Sequence, residues 1–419
     1  MLGSHPGIFC AKIGNMNKYK RPEIMSPIGD WAGLEACKDY ADAVYFGVSD
    51  LSMRARANFL KLRDLGKFTK KCRDYKLKNY LTLNSTLYNK DIKEAEKIVK
   101  AAKAEGVDSL IVWDPATIEI ARKENMNFTI STQANISNWK TAEFYKKLDA
   151  KRIVLARELN LKQIKEIKDK VSIEIETFIH GAMCLAISGR CIISAYIFGK
   201  SANCGYCSQP CRKEWFLSDK EGNKISNEGK YFLNSKDLCM IEYIPELIKA
   251  GIDSFKIEGR KRDPKYVETT ARCYKEAVDS FFEGTFTDEK AKEWKKELEK
   301  SYNRGFSTGF YFGVPGKEGI NYDKADNVSL FKKEMVGKVV HYYPKAKAVS
   351  IKAMRDIKIG NTLIIEGEKT FLEQKIDSMQ INGKDIKKAK KGEEFAIKTE
   401  KSAKKNDNVF MVVKRDVLE

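Results

Sequence analysis

The sequence predicts an α/β fold: a TIM-type (β/α)8 barrel with a Cys-rich insert, followed by a small C-terminal β-barrel domain. Eight short apolar runs alternate with amphipathic helical patterns over about the first 260 residues, as a (β/α)8 chain requires. No Gly-rich phosphate loop follows an early run, as a doubly wound sheet would need. From about Met335 the pattern changes to short alternating strands split by turn residues, which reads as a separate all-β unit.

The eight predicted strands cover residues 22–27, 43–47, 79–84, 109–114, 128–132, 152–156, 172–179 and 254–258. Runs such as Leu110 to Val112 and Ile153 to Leu155 are continuously apolar, as strands buried on both faces are. Between them, residues 91–105 place Ile92, Ala95, Ile98, Val99 and Ala102 on one helical face. Helices are also expected over 161–168 and 240–250. Gly106 and Gly251 follow two of these helices as terminating residues. The seventh and eighth strands are far apart, and residues 184–239 form an insert with a hairpin expected over 214–218 and 230–233, turning at 221–223. Insertions after a barrel strand sit at the C-terminal face, where active sites are built. One long helical region is expected from Pro264 to about Tyr302, then a Gly- and aromatic-rich linker or packed loop over 301–316. Six strands are expected beyond it, over 337–343, 348–353, 362–365, 377–381, 394–397 and 408–414. The domain organisation read from this is an extension (1–20), the barrel with its insert and trailing helices (21–330), and the β-barrel (335–419).

The chain has 419 residues, 42% of them hydrophobic, enough for a large core. Charged residues make up 32%, and no run approaches about 18 apolar residues, so a membrane protein is excluded. The first residues lack an apolar stretch with a cleavage site, and Met16 offers a second start, so a cytoplasmic protein without a secretory leader is expected. The 77 Lys and Arg against 58 Asp and Glu leave a net charge of +19, and residues 331–419 hold 21 basic and 13 acidic residues, +8 of that total. The excess has two readings, a polyanionic partner such as nucleic acid or a Lys-rich composition; the basic β-unit favours the first.

Six of the ten cysteines fall between Cys184 and Cys239. In a reducing compartment, metal ligation explains such density better than disulfides. Cys10, Cys37, Cys72 and Cys273 read instead as small buried apolar residues. Cys204, Cys207 and Cys211 have spacings used by zinc and by iron–sulfur clusters. Glu174, Glu176, Phe178 and His180 share one face of the seventh strand. Carboxylates facing a barrel interior are costly unless paired or functional. His180, at the expected barrel mouth, is either a hydrogen-bonded structural group or a catalyst. Lys256, Glu258 and Arg260 alternate along strand eight and share a face in the same way. There is no HExxH, no GxSxG elbow and no Walker loop.

The run Glu176-x-Phe178-x-x-Gly181-Ala182-Met183-Cys184, with Gly189-x-Cys191 and Ser194, resembles the signature of the collagenase-like peptidase family. The segments PEIMSPIGDWAGLEACKDYADAVYFG (22–47), RARANF (54–59), STQANISN (131–138), NSKDLC (234–239) and FKIEGRKRDPKYV (255–267) agree, so the resemblance spans about residues 22–280. It implies one of two activities. The family label implies peptide hydrolysis, possibly of collagen. The family's RNA-hydroxylase branches imply oxygen addition to the tRNA wobble uridine or to a cytidine of ribosomal RNA, with prephenate as a required co-substrate, and the branch this chain resembles implies 5-hydroxyuridine formation in tRNA. A second family subunit occurs among such relatives. Related members carry a four-cysteine 4Fe–4S cluster, which implies Cys184, Cys191, Cys207 and Cys239 as ligands here, with Cys211 in reserve and Cys204 incidental. Zinc is the alternative metal, in a zinc-stabilised RNA-binding protein. A dianionic co-substrate needs cationic forks, for which Arg54, Arg56, Arg190, Lys256 and Arg260 are the candidates. His180, Glu176 and Glu258 are the candidate catalytic groups.

Overall fold

The computed structural model describes residues 18–57, 60–216, 218–223 and 231–415. Eight parallel strands close into a barrel: β1 (Glu23–Pro27), β2 (Ala43–Phe46), β3 (Lys78–Thr82), β4 (Ser109–Val112), β5 (Phe128–Ile130), β6 (Arg152–Val154), β7 (Glu174–Gly181) and β8 (Ser254–Ile257). Each pairs with the next, and β8 returns to β1, with Glu23 beside Ser254. All eight coincide with the runs expected from sequence. Helices cover the outside, and their starts are set by polar caps. Asp30, Asp114, Asn138, Asn160 and Asp263 each accept a hydrogen bond from a first-turn N–H. The helix Ile92–Ala104 buries Ala95, Ile98, Val99 and Ala102 as its spacing predicts.

Two expectations for the trailing segments need correction. The single helical region after Pro264 is two helices, Pro264–Phe282 and Asp288–Lys300. Gly284 takes a φ of +71 between them, and Thr287 caps the second through its side chain. The hairpin expected in the insert is described only in part: 214–216 and 231–233 carry no strand, Ser218 lies in a β-bridge, and the Asp219 N–H donates to the Asn223 carbonyl at 2.9 Å across the expected turn, while 217 and 224–230 lie outside the described residues. The loop after the helices packs on the barrel. Its strand Phe306–Ser307 pairs with Asp237–Cys239, and the Tyr311 hydroxyl donates to the Phe178 carbonyl at 2.7 Å.

From Phe331 onward an eight-stranded antiparallel sheet curls into a half-barrel around its own core of Val336, Val349, Ile351, Leu363, Phe395 and Val409. It holds two strands the sequence reading lacks: Phe371–Lys375, whose side chains do not alternate cleanly between apolar and polar, and the three-residue Lys384–Ile386, which pairs with Met379–Ile381. Ala36, Ile364 and Phe371 join this unit to the barrel, with the ion pairs Lys265–Glu373 and Lys333–Asp263 across the same junction. Among the described residues, no helix is long and apolar enough to cross a membrane.

The barrel interior is charged at one level. Arg152, 3% exposed, donates to Glu23 at 2.6 Å, Glu176 at 3.0 Å and Glu174 at 2.8 Å. Lys256 pairs with the other Glu176 oxygen at 2.5 Å, and the Ser254 hydroxyl donates to Glu176 at 3.2 Å. Burial pushes the Glu23 carboxyl up, but Arg152 and Lys78 outweigh it and hold it below the ordinary range. Glu176 is therefore a structural partner in this network. His180 is also enclosed. The rings of Tyr266, Tyr274 and Phe306 surround it, and its Nδ1 lies 3.3 Å from the Tyr274 hydroxyl. Burial, with Arg262 nearby, pushes its imidazole down to about 3.

Two stability predictions follow. Arg152→Leu strands buried carboxylates and is expected to cost about 3–5 kcal/mol, read from urea unfolding at neutral pH; an unchanged midpoint contradicts the role given to Arg152. An unfolded histidine takes up its proton near pH 6.5. The native His180, neutral to about pH 3, therefore favours folding above pH 6.5, and that contribution is lost progressively as the pH falls toward 3. His180→Gln is expected to flatten this acid limb of the stability curve; a limb of unchanged slope shows that other groups set it.

A thiol-lined cationic cavity at the barrel mouth

The C-terminal ends of the strands open into a cavity that is continuous with solvent, with about 1000 Å³ of empty space when the open solvent within it is included. Its floor comes from the strands: Tyr45, Thr82, Phe178, Lys256 and Glu258. Its walls come from loops, including Arg54, Asn84, Gln133 and Arg157, and its roof is the cysteine-rich insert. The insert lies directly on the loop after β2. Gly205, at φ +82, sits so close that an added Cβ would fall 2.4 Å from the Ser52 carbonyl oxygen, so only glycine fits there.

Four cysteines line the cavity: Cys184, Cys191, Cys207 and Cys211. Burial pushes the Cys211 thiol up, and the other three thiols add to the shift. The Gln209 N–H donates to the Cys207 sulfur at 3.3 Å. Cys239 is not among them. It lies on the short strand Asp237–Cys239, antiparallel to β7 and opposite His180, and its thiol faces the Tyr274 hydroxyl at 3.9 Å. Burial pushes that thiol up to about 11. Of the cysteines implied by the resemblance, Cys184, Cys191 and Cys207 therefore line the cavity together with the reserve Cys211, while the pairing of that strand turns Cys239 toward Tyr274 of the helical layer. Cys204 also lies off the cavity, with its thiol 3.7 Å from the Tyr88 hydroxyl. Among the described residues, no three His, Cys, Asp or Glu side chains are grouped as a single metal ion would need; the four thiols surround the space instead.

Arg212 organises the roof. Its guanidinium donates to the Asn234 side chain at 2.7 Å and to the carbonyls of Ser235 and Met183, both at 2.5 Å. The Ser235 hydroxyl also reaches the Met183 carbonyl, at 2.9 Å. Arg212 thus ties the segment carrying Cys211 to the residue before Cys184.

Five cations line the cavity, Arg54, Arg157, Arg212, Lys256 and Arg260, against the one carboxylate Glu258. Arg54 Nε is 3.5 Å from Glu258, and the Tyr45 hydroxyl is 3.4 Å from the same carboxylate. Burial pushes the Glu258 carboxyl up, yet Arg54, Arg260, Arg157 and Arg262 outweigh it and hold it low. Arg260, 4% exposed, donates to Ser52 at 2.9 Å and Thr82 at 3.0 Å, and its Nε has no protein partner. Burial, with Arg152 and Arg260 nearby, pulls the Lys256 ammonium below its usual value despite Glu176. Arg190 stands exposed at the rim, over the Trp113 ring and 3.4 Å from the Gln133 carbonyl. Arg56 lies in the turn Ala55–Ala57, and its side chain is outside the described residues.

Of the three candidate catalytic groups, only Glu258 faces the cavity; Glu176 and His180 are enclosed behind it, and among the described residues no imidazole lines the space. Arg157 is a cavity residue that the sequence reading missed. It donates to the Ala182 carbonyl at 2.8 Å, stacks over Phe178, and keeps Nε and Nη2 buried without protein partners. Its place just after β6, at a strand's C-terminal end, is the signal that identifies it.

A Methanocaldococcus jannaschii protein named as an uncharacterized protease is 44% identical over 93% of this chain and 98% of its own length. A Porphyromonas gingivalis protein named collagenase is 34% identical over 96% of this chain and 100% of its own. The Bacillus subtilis tRNA hydroxylation protein P1 is 35% identical, with 82% of each chain covered. The model of peptidase family U32 matches residues 29–321, and with these relatives it establishes that the chain belongs to that family.

Proposed function

We propose that the protein is an RNA-modifying enzyme that hydroxylates a pyrimidine, most specifically the wobble uridine of tRNA to 5-hydroxyuridine. The observation that carries this reading is the cavity itself, four thiols and five cations in one enclosure at the barrel mouth. Its similarity to a tRNA hydroxylation protein supports the same reading. Cys184, Cys191, Cys207 and Cys211 would hold a 4Fe–4S cluster. An all-thiol donor set suits iron–sulfur ligation, and thiols spread around a cavity suit a cluster with one ligand per iron better than a single zinc ion. When bound, the cluster supplies redox chemistry that side chains lack.

The protein's own groups would bind and orient the reactants. Arg54, Arg157 and Arg260 present guanidinium N–H groups to a dianionic co-substrate such as prephenate, which carboxylate recognition by arginine favours. Glu258, held ionised by these cations, would keep Arg54 in place and accept a hydrogen bond from Tyr45. The net charge of +19 would steer a tRNA in a cytoplasmic setting. A second family subunit could complete the RNA surface.

Anaerobically purified protein is expected to be brown, with a broad band near about 400 nm and about four irons per chain. Cys211→Ala is expected to lose that band, whereas Cys239→Ala is expected to keep it; the reverse pattern would restore Cys239 as a ligand. Arg212→Gln is expected to lower iron content by loosening Cys184 against Cys211, and full occupancy in that variant would remove its positioning role. Nucleoside mass spectrometry of tRNA from cells lacking the gene is expected to show loss of 5-hydroxyuridine-derived nucleosides. Stoichiometric zinc without iron would favour an RNA-binding protein. Peptide cleavage lost on Cys→Ala but surviving iron removal would establish a peptidase instead.

A further inference from the structure

Beside the cavity, the insert carries an apolar surface that the site itself does not use. The helix Ile193–Phe198 lies between two cavity cysteines, Cys191 and Cys207. Ser194 anchors it, buried, with its hydroxyl accepting from the Ser208 N–H at 2.9 Å. The remaining face is open: Ile192, Ile193, Ile197 and above all Tyr196, at 84% exposure, stand in solvent. Leu185 and Phe216 of the same insert are exposed as well. Single exposed apolar residues are ordinary, but a cluster of this kind marks an interaction surface.

Charge and position select the occupant. Residues 185–216 contain Arg190, Lys200, Arg212 and Lys213 but only one acidic residue, Glu214. Arg190, Lys200 and Lys213 of this segment are exposed, and the Lys213 ammonium lies 5.3 Å from the ring of Phe198 on the same helix. A surface that combines a protruding aromatic ring with flanking cations fits a polyanion that also presents flat apolar faces. Unpaired RNA is that ligand, because its bases stack on aromatic rings while its phosphates meet cations.

From this we infer that the exposed face of helix Ile193–Phe198 is a stacking platform for the unpaired nucleotides beside the target base, with Tyr196 as its principal contact. The inference rests on the RNA reading above and extends it to residues outside the cavity. Tyr196 is a positioning residue here, since it touches the RNA away from the reacting atoms.

The test is fluorescence anisotropy with a labelled unstructured oligouridylate, using the holoprotein at fixed salt. Tyr196→Ala is expected to weaken binding about 5- to 100-fold, the loss of one base–aromatic stack, while Tyr196→Phe retains it. Iron content and melting temperature are expected to stay at wild-type values, since the side chain is exposed. Arg190→Ala with Lys213→Ala is expected to flatten the salt dependence, which Tyr196→Ala leaves unchanged. Wild-type affinity in Tyr196→Ala overturns the platform while leaving the RNA reading intact; absence of RNA binding by the wild-type protein overturns both. Sedimentation showing a wild-type dimer that Tyr196→Ala dissociates, with RNA affinity unchanged, would assign the surface to self-association and overturn the platform.

Discussion

The buried guanidinium of Arg152 is the constraint around which the barrel is built. It joins β6 to β1 and β7 by ion pairs with Glu23, Glu174 and Glu176, and Glu176 passes the network to β8 through Lys256. Buried charges in a low-dielectric interior are tolerated only when their partners are satisfied together. The four strands that meet in this network include both sides of the closure, where β8 joins β7 and β1. The same pairs fix Lys256, which forms part of the cavity floor. Closure of the barrel and the electrostatics of the site thus share one set of contacts.

Above that layer, the architecture separates support from chemistry. The strands supply a rigid floor and a ring of cations, while the insert brings four thiols over it. Arg212 spans the two ends of the insert, and Gly205 lets it rest against the loop after β2. Neither residue is chemically reactive. Each sets the position of thiols through backbone contacts, the kind of support that precise sites require. The half-barrel beyond Phe331 packs on the helix Trp31–Cys37 through Ala36, and none of its described residues lines the cavity.

The neighbourhoods of Cys239 and His180 show how proximity in sequence misleads. Both are near the end of β7 or paired with it, and both belong to the motifs that suggest chemistry. The short strand Asp237–Cys239 runs antiparallel to β7 and places the two side chains among Tyr266, Tyr274 and Phe306. There, burial favours the neutral imidazole and the protonated thiol. Arg157 is the converse case, absent from any motif yet lining the cavity through its place after β6.

The sequence by itself determined the barrel, its eight strands and the cationic strand-eight residues, because hydrophobic periodicity and side-chain alternation are local properties of the backbone. It also determined that a dense group of cysteines would sit at the barrel mouth, since an insert after a barrel strand has only one face to occupy. Only the tertiary structure decided which cysteines share the cavity, that Glu176 and His180 are sealed away from it, and that Arg157 and Arg212 belong to it. Those outcomes depend on one short antiparallel pairing and on packing between residues more than twenty positions apart, such as Arg212 with Asn234 and Met183. Spacing along the chain carries no information about such contacts until the strands around them have closed.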